Sequence, residues 1–119
     1  MAKYTWIKDS MPEKIPVRQV YGIAFSTEWQ VLLRIEDGIY KLTGGKPEAA
    51  ENFEDTLKRE YIEELNAELE DIHYLGYFLV NEKSDLYAQV RMIAKIKEIH
   101  SCHVDPAAGK RYVVIPCLV

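Results

Sequence analysis

Glu51, Glu60, Glu63 and Glu64 stand at fixed offsets behind the glycine pair Gly44-Gly45, with Arg59 beside them. Carboxylates at this density repel one another and resist full ionisation unless a cation sits among them. Oxygen-only ligands suit a hard ion such as Mg²⁺ or Mn²⁺. Glycine lacks a Cβ, so Gly44 and Gly45 can bring bare backbone close to a ligand or offer a carbonyl to the same ion. The chemistry in prospect is metal-assisted handling of an anionic substrate.

These groups need an element to hold them. No Gly or Pro interrupts the chain from Asn52 to Leu65, Asn52 is a good N-cap, and Glu54 and Asp55 suit the positive end of a helix dipole. The spacing predicts a helix of about three and a half turns. At roughly 100° per residue, Glu60, Glu63 and Glu64 share one sector, while Leu57, Tyr61 and Leu65 form the neighbouring apolar stripe. One face packs and the adjacent face is anionic.

Gly45, Glu51, Arg59-Glu60, Glu63-Glu64 and Ala67, at their intervals in this chain, resemble the box that defines the Nudix hydrolases. One position departs, where Asn66 stands for the usual glycine at the end of the helix. Asparagine tolerates the left-handed C-cap conformation best after glycine. A charge run is ordinarily a solvated face, but the matched glycine, four glutamates and arginine weigh against that reading. The resemblance implies hydrolysis of a pyrophosphate bond in a nucleoside diphosphate linked to another moiety. It also implies Mg²⁺ or Mn²⁺ held by Gly44, Glu51, Glu60, Glu63 and Glu64. Glu60, Glu63 and Arg59 are the expected catalytic residues, Arg59 by orienting Glu51 or its neighbours through a charge-assisted pair. The general base is open among Glu63, Glu98 and Asp105. The rival expectation is a catalytically weak or inactive Nudix-fold module that binds nucleotides or protein.

The remaining chain reads mainly as strands. Val17 to Phe25 and Gln30 to Ile35 are β-rich, with a turn over Ser26 to Trp29. Asp37-Gly38 marks a tight hairpin, and Ile39 to Leu42 delivers the chain to the glycines. Ile72 to Val80 and Leu86 to Ile96 should pair over Asn81 to Asp85, and Arg111 to Ile115 reads as a last strand after a loop from His100 to Lys110. The expected fold is α+β, a Nudix-like αβα sandwich whose mixed sheet carries the box helix, forming one domain over residues 1–119. Nudix domains commonly continue into a C-terminal helix, which is missing here. Either the chain is truncated or a second copy covers the sheet face, so a homodimer is the corresponding expectation.

Composition agrees with a small globular domain, at 119 residues, 48% hydrophobic and 29% charged. No apolar run has the length of a membrane span, and the N-terminus lacks the apolar core of a secretion signal, so a cytoplasmic location is expected. Cys102 and Cys117 make no disulfide framework. A net charge of -4 argues against nucleic-acid or membrane partners and leaves a small phosphorylated ligand held through metal. His100, Cys102 and His103 form a compact cluster of zinc-type ligands without a second pair, for which an ordinary loop is the stronger reading. Arg34 and Lys46 are candidates for phosphate contact or for solvated surface, and Tyr21, Trp29, Tyr77 and Tyr87 for base stacking or for packing. Asn81 to Ser84 carries neither the proline nor the tyrosine that marks Nudix subfamilies. Nucleoside triphosphates, nucleotide sugars, ADP-ribose and dinucleotides all stay open as substrates.

Overall fold

The computed structural model describes residues 1–100 in full and, as backbone, 110–116. Its elements are β1 (Lys3–Lys8), β2 (Val17–Phe25), β3 (Gln30–Glu36), β4 (Ile39–Lys41), β5 (Thr43–Gly45), α1 (Phe53–Leu65), β6 (Ala67–Glu82), β7 (Asp85–Ile99) and β8 (Lys110–Pro116). The strands form one mixed sheet in the order β1-β6-β7-β2-β3-β4, with β5 added to β2 and β8 to β3. β2 and β7 run parallel, Tyr21 beside Arg91 and Ile23 beside Ile93, while the other pairings are antiparallel.

Alternation along the central strands divides the sheet into two faces. Val20 and Ala24 of β2 join Val90, Met92 and Ala94 of β7 in the core, against Leu57, Tyr61 and Leu65 of α1. The helix lies so close to β2 that a Cβ at Gly22 would stand 2.8 Å from Leu57 Cδ1. The Tyr61 hydroxyl also donates to the Gly22 carbonyl at 3.0 Å, and burial pushes its pKa well above the usual tyrosine value. The opposite face presents Tyr21, Ile23, Gln89, Arg91 and Phe78, all partly exposed. The α+β expectation holds, with the box helix on one face of a mixed sheet.

Local chemistry explains the element ends. The Asn52 side chain accepts from the Asp55 amide at 2.7 Å, and Asn66 adopts φ 52°, ψ 38°, its amide donating to the Ile62 carbonyl. Asp37 and Gly38, both with positive φ, make the β3–β4 turn, and Lys83 and Ser84 do the same between β6 and β7. Two features depart from the sequence reading. β1 was unforeseen, because Lys3 to Lys8 has five exposed residues and pairs only along the outer edge of β6. β6 begins at Ala67, well before Ile72, because register shifts around Glu68 to Gly76 disguise its alternation. The loop expected after His100, with Cys102, His103 and Asp105, and the stretch after β8, with Cys117, lie outside the described residues.

Candidate functional site

The site is organised by Arg59. Its Nε donates to Glu51 Oε2 at 2.7 Å and its Nη2 to Glu51 Oε1 at 3.0 Å, a two-pronged pair of the kind planar guanidinium and carboxylate favour. Its Nη1 reaches Glu60 Oε1 at 2.8 Å and Glu63 Oε2 at 3.3 Å, and Nη2 also donates to the Lys46 carbonyl at 3.1 Å. One cation thus gathers three carboxylates and ties the helix to the loop that follows the glycines. These carboxylates hold the guanidinium charged and push its pKa above the ordinary arginine value, the Glu51 hydrogen bond contributing most.

Glu51 is the most constrained of the acids. Besides Arg59, its Oε1 accepts from the Glu48 amide and from Thr56 Oγ1, each at 2.9 Å. The Arg59 hydrogen bond, followed by the Glu48 amide, lowers its pKa to about 2. The backbone reaches this arrangement through a tight turn in which the Glu51 amide donates to the Glu48 carbonyl and Ala50 takes φ 67°.

Glu60 packs against Gly45. Gly45 lies across from Val20 on the helix side of the sheet, and a Cβ there would collide with the Glu60 carboxylate. Gly44, one residue earlier, points to the other face, where a Cβ would meet the Val20 carbonyl and Tyr21. The glycines are therefore required by close approach on both sides of β5. Thr43, just before them, is fully buried and its hydroxyl has no hydrogen-bond partner among the described residues.

The three helix carboxylates expected in one sector divide between two cations. Glu60 and Glu63 turn to Arg59, whereas Glu64 Oε2 lies 3.0 Å from Arg34 Nε on β3. Arg34 also donates from Nη1 to Glu36 Oε2 at 2.9 Å, and Lys41 meets the other Glu36 oxygen at 3.0 Å. With its side chain only 11% exposed, Arg34 is a packed partner of the acidic helix and no solvated surface group. Sequence reading did not place Arg34 or Thr56 here. Helical periodicity cannot show which strand faces α1, and Thr56 Oγ1 also looks like an ordinary helix residue bonding to the Asn52 carbonyl.

Other candidates fall elsewhere. Glu98 belongs with Glu68 and His100, where His100 Nε2 stands 2.7 Å from Glu68 Oε1 and Nδ1 4.0 Å from Glu98 Oε1. Glu98 makes no contact with the Arg59 group among these interactions. Glu48 is a marginal neighbour, 3.7 Å from Arg59 and two-thirds exposed. Tyr77 is core, Trp29 is exposed against Phe25, and the Tyr87 ring lies under Arg18.

The donor set fits a hard divalent cation. Glu51, Glu60, Glu63 and Glu64 offer only oxygen, on one helix and its entering loop, and Glu60 fits closely against the Gly45 backbone. A sheet carrying one acidic, arginine-clasped helix behind a glycine pair defines a small α+β domain. The chain belongs to the Nudix family, whose NUDIX domain model matches residues 17–110. No curated protein matches it. Among solved structures it resembles the Bacillus subtilis pyrophosphohydrolase BsRppH, at 25% identity and a TM-score of 0.82, over 98% of this chain and 73% of that one. A mutator MutT protein from Bacillus halodurans matches at 24% identity and a TM-score of 0.62, over 83% of this chain and 67% of that one. A UDP-X diphosphatase matches at 15% identity and a TM-score of 0.65, over 89% of this chain and 53% of that one. The last two likenesses concern the fold alone.

Proposed function

We propose that this protein is a divalent-metal-dependent Nudix pyrophosphohydrolase acting on a nucleoside diphosphate linked to another moiety. The observation that carries the reading is the Arg59 clasp, which gathers Glu51, Glu60 and Glu63, with Glu60 against Gly45. A pyrophosphate is itself anionic, so an incoming nucleophile meets repulsion. Bound Mg²⁺ or Mn²⁺ would neutralise that charge and acidify water. Glu60, Glu63 and Glu64 would hold the ion, with Glu51 and the Gly44 carbonyl as further ligands.

The chain's own groups divide the remaining work. Arg59 fixes the carboxylates of Glu51 and Glu60 and limits their mutual repulsion, which keeps the ligand set in place before substrate arrives. Glu63 is more than half exposed and loosely held at 3.3 Å, which supports a role in accepting a proton from water. We assign it as the general base. Arg34 steadies Glu64 from the sheet side.

The whole of residues 1–119 is proposed to act as a single domain in the cytoplasm, on a small nucleotide derivative and without nucleic-acid or membrane partners. No helix among the described residues is long and apolar enough to cross a membrane. A homodimer is likewise proposed. The test of function is product release from nucleoside triphosphates, nucleotide sugars, ADP-ribose and dinucleoside polyphosphates with Mg²⁺ or Mn²⁺, run beside Glu64→Gln. Cleavage of one class, lost in the variant, is expected. Silence across the panel together with metal binding would instead support a binding module.

A further inference from the structure

Arg91 stands apart from the other arginines whose side chains are described. Arg18 has Asp85 at 3.5 Å, Arg34 has Glu36 and Glu64, and Arg59 has its three glutamates. Arg91 has no carboxylate within ion-pair distance among the described residues. Its hydrogen bonds are long and neutral, to the Val90 carbonyl at 3.4 Å and Gln89 Oε1 at 3.3 Å. The guanidinium instead lies over two aromatic faces, 4.7 Å from the centre of Tyr21 and 5.2 Å from that of Phe78. Trp6 extends the row, with its ring 4.9 Å from Phe78. Burial pushes the Arg91 pKa below its ordinary value, and proximity to Tyr21 offsets this only in part. A half-buried cation supported by ring faces and long neutral hydrogen bonds, with no carboxylate among the described residues, is a group prepared to meet an anion.

The surroundings show where that anion would come from. Arg91 lines a cavity of about 300 Å³ with Tyr21, Arg34, Lys41, Leu42 and Gln89. Arg34 and Lys41 are both engaged by Glu36, so among the described residues the positive charge of this cavity that lacks a carboxylate partner is that of Arg91. Tyr21 is the link to the carboxylate site, because it sits opposite Gly44 across β2 and β5, where a Cβ would stand 2.8 Å from its ring. The next residue, Gly45, touches Glu60. The cavity and the Arg59 group thus lie on either side of the same glycine pair.

We propose that Arg91 is a substrate-binding residue that holds a phosphate group of the nucleotide substrate, in the cavity it lines with Tyr21, Arg34 and Gln89. This rests on the pyrophosphohydrolase reading. Tyr21 offers a ring edge to the moiety attached to that phosphate, while the Gln89 amide is held between Gln19 and Arg91. Arg91 is preferred to a lysine because its planar group lies over the rings while still presenting donors to phosphate oxygens.

The test is equilibrium binding, without metal, of the four nucleoside monophosphates and their uncharged nucleosides to the wild type, Arg91→Lys and Arg91→Gln. The wild type should favour each monophosphate over its nucleoside. Arg91→Gln should weaken monophosphate binding roughly tenfold or more and leave nucleoside binding unmoved, with Arg91→Lys between the two. Arg91→Met, which keeps the stem over the rings, replaces the glutamine variant if melting shows that variant unfolded. Unchanged monophosphate affinity on loss of the charge, an equal loss for nucleosides, or no monophosphate binding by the wild type would overturn the assignment. Since no turnover is read, an inactive enzyme in the substrate panel would leave this result standing.

Discussion

At the scale of single residues, the site depends on which carboxylates are held and by what. Glu64→Gln removes a charge that faces Arg34 while keeping a hydrogen-bonding shape, so the fold should survive and turnover should fall about 100-fold. Steady-state rates on the substrate identified by the panel, beside a melting curve, check both halves. Glu51 makes a pH prediction. Its pKa in the folded protein, about 2, lies below the ordinary 4.5, so its stabilising effect is complete above about pH 4.5 and is lost as the pH falls toward 2. The gap in melting temperature between wild type and Glu51→Gln should therefore be constant at neutral pH and shrink through that window. A gap that stayed constant down to pH 2 would mean that Arg59 does not hold Glu51 as described.

The next scale is α1 and the turns that frame it. Asn66 has a left-handed backbone, so Asn66→Ala should cost about 1 kcal/mol in urea unfolding, whereas Asn66→Gly should be neutral or stabilising. Leu57 is fully buried against the sheet and closes over Gly22, and Leu57→Ala should cost about 2–5 kcal/mol. Much of this element was legible beforehand. Asn52, the Leu57, Tyr61 and Leu65 stripe, and the glycine-like Asn66 each act through near neighbours in the chain, and each is where local rules place it. β1 was not legible, since an exposed edge strand needs little apolar patterning when β6 supplies the ladder.

For the whole molecule, the prediction concerns linkage between metal and folding. If the oxygen set binds Mg²⁺ or Mn²⁺ only when folded, metal at 100 times its dissociation constant should add about 2.7 kcal/mol to stability. Calorimetric melting with and without millimolar metal measures this, and an unmoved transition would remove the metal site. The gain should be largely lost in Glu60→Gln, whose carboxylate rests against Gly45. Light scattering at micromolar concentration decides the homodimer, which a monomeric mass would rule out.

The sequence by itself determined the helix, its caps, its buried stripe and the acid set, because these follow from spacing along one element. The offsets of Gly45, Glu51, Arg59, Glu60, Glu63 and Glu64 sufficed to suggest the family and the class of chemistry. Only the tertiary structure decided how those acids are shared. Arg34 comes from β3 and reaches Glu64, so the helix triplet divides between two arginines, and no periodicity within α1 contains that information. The same holds for Arg91. In the chain it is one polar residue in an alternating strand, and its lack of a carboxylate among the described residues becomes visible only when β2 and β6 set Tyr21 and Phe78 beneath it. Local contacts are encoded by intervals in the chain; a charge left without a counterpart is a property of everything packed around it.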